Sequence, residues 1–172
     1  MDMMLSTQHR LRTAPFRAKE ELNIEREDTD ILLIPNVPQG KYQVGFAVSK
    51  DAIDQVLRLR YLVFNVELGE GLADGALSGL DQDPYDQQMT HLVLLCAASQ
   101  QIVGTYRIQA ASRALRHKGL YSAQEYDLGA LAPYMKETVE LGRACLSQEH
   151  RAMDALLTLW SGLGHFMNLY GL

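Results

Sequence analysis

The segment TVELGRACL (Thr138–Leu146) places a carboxylate, Glu140, and a guanidinium, Arg143, three residues apart in a run that is apolar or small apart from these two and Thr138. An unpaired charge in a protein core is costly or neutralises itself, so the two groups must serve each other or serve a site. In a regular strand, positions 140 and 143 point to opposite faces, because the side-chain period is two. A bulge brings them to one face, and Gly142 between them is the residue that most readily permits one.

Further charges stand in apolar surroundings. Arg60 falls inside the apolar stripe formed by Val56 and Leu57, and Arg107 lies within the strand-like VGTYRIQ. Each calls for a carboxylate, and LDQDPYD supplies Asp81, Asp83 and Asp86 at spacings of two and three. A twelve-residue calcium loop beginning at Asp81 would need Gly at position six and Glu at twelve. Those positions hold Asp86 and Leu92, so the pattern does not fit. The carboxylates and arginines read equally well as a structural ion-pair network or as an active-site network, since both perturb pKa values.

These residues need elements to hold them. Asp30–Pro35 and Tyr42–Ser49 read as strands, and Ser49 caps a helix whose Ile53, Val56, Leu57, Tyr61 and Phe64 share a face. An irregular acidic segment runs from Asn65 to Asp86, followed by a hairpin of HLVLLCAA and QIVGTYRIQA. The strand Thr138–Leu146 comes next. A helix then starts at about Gln148, with an apolar stripe of Met153, Leu156, Leu157, Trp160, Leu163, Met167 and Tyr170. This order predicts an α+β fold in which Thr138–Leu146 is the central strand of a mixed sheet flanked by helices. Ser147 can cap the last helix, whose first-turn N–H groups then form an anion site.

The 172-residue chain is long enough for one domain with a substantial core. Its net charge of -5 argues against a general nucleic-acid binder. Cys96 and Cys145 sit in apolar runs and read as buried reduced thiols, which fits a cytoplasmic setting and no metal site. Neither a signal peptide nor a membrane span is visible. Residues 1–29 read as a solvated extension holding Arg10, Arg12, Arg17 and Lys19, and residues 30–172 as the domain.

RYLVF, LDQDPYD, IVGTYR and ELGRACL, in that order, resemble the acyl-carrier-protein-dependent N-acyltransferases of the GNAT-like fold. The resemblance covers about residues 50–170. It is nearest to the ornithine-lipid N-acyltransferases and long-chain N-acyl amino acid synthases, and more distant from the acyl-homoserine-lactone synthases. Those synthases carry a Trp shortly after the Phe of the first motif, whereas this chain has NVELGEGL. Coenzyme-A-dependent members carry a Gly-rich loop after the central strand, whereas this chain has SQEHRAMDA. A loop without Gly is a poorer cradle for a pyrophosphate and suits the single phosphate of a carrier-protein donor.

The resemblance implies transfer of a long-chain, 3-hydroxylated acyl group from acyl carrier protein to the α-amine of an amino acid, ornithine first. No tightly bound cofactor is implied; the donor is the acyl-phosphopantetheine of the carrier protein. Glu140 and Arg143 become the catalytic pair. A partly buried Glu140 with a raised pKa would take the amine proton, and N–H groups near Ala144–Leu146 would hold the oxyanion. Arg60, Phe64, Glu67, Asp81, Asp83, Asp86 and Arg107 fall to the acceptor, and Ala144, Cys145, Leu146 and Ser147 to the donor. The acyl chain would follow the 115–135 segment, and Arg113–Lys118 is the basic run for an acidic carrier protein. An amphiphilic product makes peripheral membrane contact plausible. The fold ordinarily continues beyond the helix that ends this chain, so the domain reads as C-terminally truncated. A non-catalytic module binding carrier protein or lipid, and a lactone-type signal synthase, are the alternative readings.

Overall fold

The computed structural model describes residues 29–35, 37 and 40–172, so the expected extension lies outside the described residues apart from Thr29. Among the described residues one sheet is built from β1 (Ile31–Leu33), β2 (Tyr42–Ala47), β3 (Thr90–Cys96), β4 (Ile102–Ala110) and β5 (Val139–Leu146), in that spatial order. The α+β architecture is the one expected. Every pairing in this sheet is antiparallel, so the mixed character expected of it is not displayed by these strands.

The two faces of the sheet are covered by different helices. Helix α1 (Lys50–Tyr61) opens at Ser49, whose Oγ accepts the Ala52 N–H at 3.0 Å. Ala52 and Val56 of α1 pack on Ala47 and Val93. Helix α2 (Met153–Tyr170) lies on the opposite face, where Ala155, Leu159 and Phe166 meet Val44, Phe46, Leu92, Leu94 and Ile108. Gly162 lets α2 approach closely: a Cβ there would come within 2.6 Å of Val44 Cγ2 and 2.9 Å of Leu92 Cδ1. Strand β3, covered on both faces and paired on both edges, is buried at every position and is the true centre of the sheet.

Strand β5, read from the sequence as the central strand of a fold that ordinarily continues beyond this chain, pairs with β4 alone among the described residues and stands at the edge of these five strands. Its apolar composition carries no information about how many neighbours its backbone has, and of its residues only Glu140 and Cys145 are buried. Leu141, 41% exposed, marks that edge position. Two further expectations are corrected at the end of the chain. Ser147 makes no side-chain cap and leads only into the 3-10 turn Gln148–His150, so α2 begins at Met153 and not at Gln148. The apolar stripe read as core is split, because Met153, Leu157, Trp160 and Met167 are exposed.

Two departures from regular geometry position the site. The chain continues from α1 into a π-helical turn, Leu62–Glu67, with the Leu68 N–H reaching the Val63 carbonyl at 3.0 Å. In β5, Thr105 faces Cys145 while Arg107 faces Gly142, so β5 carries one extra residue opposite Tyr106. The expected bulge is therefore present. Its left-handed residue is Arg143, at φ 48, and not the neighbouring glycine.

Candidate functional site

On the α1 face, the charges singled out in the sequence meet in one cluster. Arg60 is fully buried; it donates from Nε and Nη2 to Asp81 Oδ1 at 2.9 and 2.6 Å, and from Nη1 to Asp86 Oδ1 at 2.6 Å. Arg107 donates through Nη1 to Asp83 Oδ2 at 2.6 Å and to Asp86 Oδ1 at 3.2 Å. Arg143 Nε lies 3.4 Å from Asp81 Oδ1, with its guanidinium over the Phe64 ring at 5.3 Å. The bulge makes this possible, since it turns Arg143 to the face already occupied by Arg107. Three aspartates thus balance three arginines.

This balance corrects part of the expected acceptor site. Arg60 and Asp81 are sealed from solvent, Asp86 and Arg107 nearly so, and none of the four touches a ligand without the core opening. They build the floor of the site. Among the described residues no group of three or more His, Cys, Asp and Glu is placed to hold a metal ion. Arg143, at 18% side-chain exposure, is the accessible cation, and Asp83 is the least buried of the aspartates.

Burial pushes the Asp86 carboxyl up, but Arg60, His91 and Arg107 more than offset it, leaving it below the ordinary carboxylate range. His91 is buried beside the cluster, Nε2 3.9 Å from Asp86 Oδ1. Burial, with Arg60 and Arg107 adding to it against the pull of Asp86, takes its pKa down to about 4. It is a neutral residue of the core.

Glu140 and Arg143 do not pair. Glu140 Oε1 accepts the Ser122 N–H and hydroxyl, both at 2.7 Å; Oε2 accepts Gln109 Nε2 at 2.6 Å and the Tyr121 N–H at 3.0 Å. Burial acts to raise its pKa, but the Ser122, Gln109 and Tyr121 donors outweigh burial and hold it below the ordinary range. The expected raised pKa is therefore not found. Tyr121, fixed in this way, lays its ring 5.2 Å from the Arg107 guanidinium carbon and edge-on to Tyr85 at 5.5 Å.

Beside the cluster lies an apolar pocket of about 320 Å³, walled by Val63 and Phe64 of the π-helical turn and Leu68 just after it, by Ala144, Cys145 and Leu146 of β5, and by Leu156 and Leu159 of α2. This is not the expected acyl groove: in the 115–135 segment Leu115, Tyr126 and Leu131 are exposed, and Leu120 is buried against Ala111 and Ala114. Burial pushes the Cys145 thiol up to about 12, so it is a wall and not a nucleophile. Ser147 lines a separate, more polar pocket of about 470 Å³ with Glu67, Gln148, Glu149 and His150.

Glu67, expected beside the aspartates, instead forms a fork with Arg151, Nη1–Oε1 2.6 Å and Nη2–Oε2 2.7 Å. The wider π-helical turn carries it past the cluster toward the end of β5. Within the basic run, Arg113 and Ala114 are buried, and Arg116, His117 and Lys118 are exposed. Gln88, Gln109, Ser122 and Arg151 were not anticipated; neutral amides and hydroxyls give no spacing signal, and Arg151 lies in what read as the first turn of a helix.

The chain matches the acetyltransferase (GNAT) domain family over residues 59–161. It is similar to the L-ornithine N(alpha)-acyltransferase of Rhodobacter capsulatus, 33% identical over 132 residues covering 73% of this chain and 51% of that protein. The protein of the same name from Brucella abortus is 36% identical over 132 residues, 72% of this chain and 47% of the relative. That from Agrobacterium fabrum is 34% identical over 131 residues, 72% of this chain and 45% of the relative. The chain thus spans about half the length of the curated relatives it matches. No solved structure matches it.

Proposed function

This chain belongs to the acetyltransferase (GNAT) domain family, and from that premise we propose that it serves an N-acyltransferase that moves a long-chain acyl group from a carrier-protein thioester to the α-amine of ornithine. The observation that carries the reading is the apolar pocket beside Ala144–Leu146, one wall of which, Phe64, also carries the guanidinium of Arg143, the accessible arginine of the buried ionic floor. An acyl chain needs such a wall, and an amino-acid carboxylate needs such a cation. The relatives, named L-ornithine N(alpha)-acyltransferases, suggest the acceptor, L-ornithine, and the Nα position.

In this reading the free amine adds to the thioester carbonyl. A C–N bond forms as the C–S bond breaks, and the proton shed by the attacking nitrogen ends on the leaving sulfur, so that the donor departs as its pantetheine thiol. Strand β5 is an edge among the described residues, so one row of its N–H groups points away from β4. Those along the pocket wall are placed to stabilise the oxyanion, a contribution typically of about 3 kcal/mol per donor. Arg143 takes the acceptor carboxylate and Asp83 faces its second ammonium. Arg151 exchanges Glu67 for the donor phosphate at the pocket wall. Arg116, His117 and Lys118 offer a small basic face to an acidic carrier protein.

The test is free-thiol release from a 3-hydroxyacyl carrier protein with and without ornithine. Ornithine-dependent release, lost in Arg143→Ala, supports the reading. Silence across a panel of amines, with carrier protein still bound, would turn it into a binding module.

A further inference from the structure

Glu140 was the natural choice for a general base, yet its surroundings are those of a clamp. A carboxylate offers about four lone-pair sites, and four donors fill those of Glu140. An acceptor with no vacant site and a depressed affinity for protons is badly suited to take one from an amine. What its bonds do achieve is to join β5 to residues 121 and 122.

The joint extends further. Gln109, which donates to Glu140, accepts at Oε1 from Gln88 Nε2 at 3.0 Å. Gln88 Nε2 also donates to the Gly119 carbonyl at 2.9 Å, and Gln88 Oε1 accepts the Lys118 N–H at 3.0 Å. Gln88, Gln109 and Glu140 are all buried. A continuous polar relay therefore holds residues 118–122 by backbone groups at both ends. Between those ends the chain turns at Gly119, where φ is 84. The same segment delivers the Tyr121 ring to Arg107 and Tyr85.

We propose that Glu140 is a positioning residue: with Gln109 and Gln88 it fixes residues 118–122 on the sheet, and so sets the Tyr121 ring against Arg107 and Tyr85, next to the aspartate, Asp83, that the acyltransferase reading gives to the acceptor. This rests on the acyltransferase reading for its kinetic consequences, while the clamp itself is measurable without turnover. The relay is worth more than its separate bonds, because a buried network half satisfied leaves polar groups without partners.

The experiment compares Glu140→Gln and Gln88→Leu with the unaltered chain by amide hydrogen exchange over residues 118–122 and by steady-state kinetics against pH. Gln at 140 keeps one acceptor oxygen, so protection of the Tyr121 and Ser122 amides should fall about tenfold, the effect of one lost hydrogen bond. The acceptor KM should rise about tenfold, kcat should stay within about threefold, and the acid limb of the kcat profile should not move. Gln88→Leu, which touches no substrate, should reproduce the KM effect from the other end of the relay. The proposal is overturned if Glu140→Gln keeps its amide protection but loses kcat by about a hundredfold or more together with the acid limb, the signature of a base. It is equally overturned if Gln88→Leu leaves both protection and KM unchanged. Loss of turnover and protection together in Glu140→Gln leaves Gln88→Leu to decide, in the same two directions. An unaltered chain that shows no turnover would sink the acyltransferase reading alone, and the exchange data would still judge the clamp.

Discussion

At the scale of the residue, the lesson lies in what a buried charge is for. Arg60, Asp81, Asp83, Asp86, Arg107, Glu140 and Arg143 were all legible in the sequence as charges that needed partners. That the three arginines and three aspartates converge was legible too, whereas Glu140, expected among them, is held instead by Gln109, Tyr121 and Ser122. Which of them meet a ligand was not, because pattern shows that a charge lies among apolar neighbours but not whether its polar end reaches a surface. Arg60 illustrates the difference: it was assigned to the acceptor, and it is sealed between Asp81 and Asp86. Arg60→Met would leave two aspartates buried without it. We expect a loss of about 3–5 kcal/mol, the typical cost of breaking a buried pair by removing one member. Denaturant unfolding measures it, and a loss under about 1 kcal/mol would mean that the cluster opens to water. The partners of Glu140 were hidden for another reason. Ser122 and Gln109 lie 18 and 31 positions away and carry no charge to betray the contact.

At the scale of the element, strands and the capped first helix followed from period and end signals, as with Ser49 before α1. The bulge in β5 followed from the need to bring two charges to one face, though its strained residue is Arg143. Helix α2 misled because it is apolar over more than one face. Its sheet contact is marked by small residues, Ala155 and Gly162, beside Leu159 and Phe166, while the larger Trp160 stays 55% exposed. Size, and not only hydrophobicity, chose the buried face. Two substitutions separate these roles. Gly162→Ala should destabilise by about 1–3 kcal/mol, because the added methyl meets Val44 and Leu92 in a packed layer. Trp160→Gln should change stability by no more than about 0.5 kcal/mol. Thermal unfolding of both distinguishes the two faces, and a reversed order would show that the helix packs the other way round.

At the scale of the whole molecule, the α+β class and family came from four short motifs held in order along the chain. One property of the whole fold is tied to the cluster. His91 takes up a proton near 6.5 when unfolded and only at about 4 when folded. The unfolded state therefore binds more protons between those values, and stability should fall as pH drops from 6.5 to 4, by roughly 3 kcal/mol in all. Asp86, held below its ordinary 3.8, contributes its loss at still lower pH. Urea midpoints at pH 7, 5.5 and 4 test this, and a His91→Gln chain should lack most of the decline. The cluster also bears on how the chain is made. Arg60 waits 21 positions for Asp81 and 26 for Asp86, and Arg107 is a further 21 beyond Asp86. A chain leaving the ribosome in that order carries α1 with an arginine that cannot be buried until its aspartates emerge, and those aspartates are not balanced until Arg107 and Arg143 follow. The core over this face can close only after synthesis has passed residue 143, which sets a late and all-or-none step in the birth of the domain.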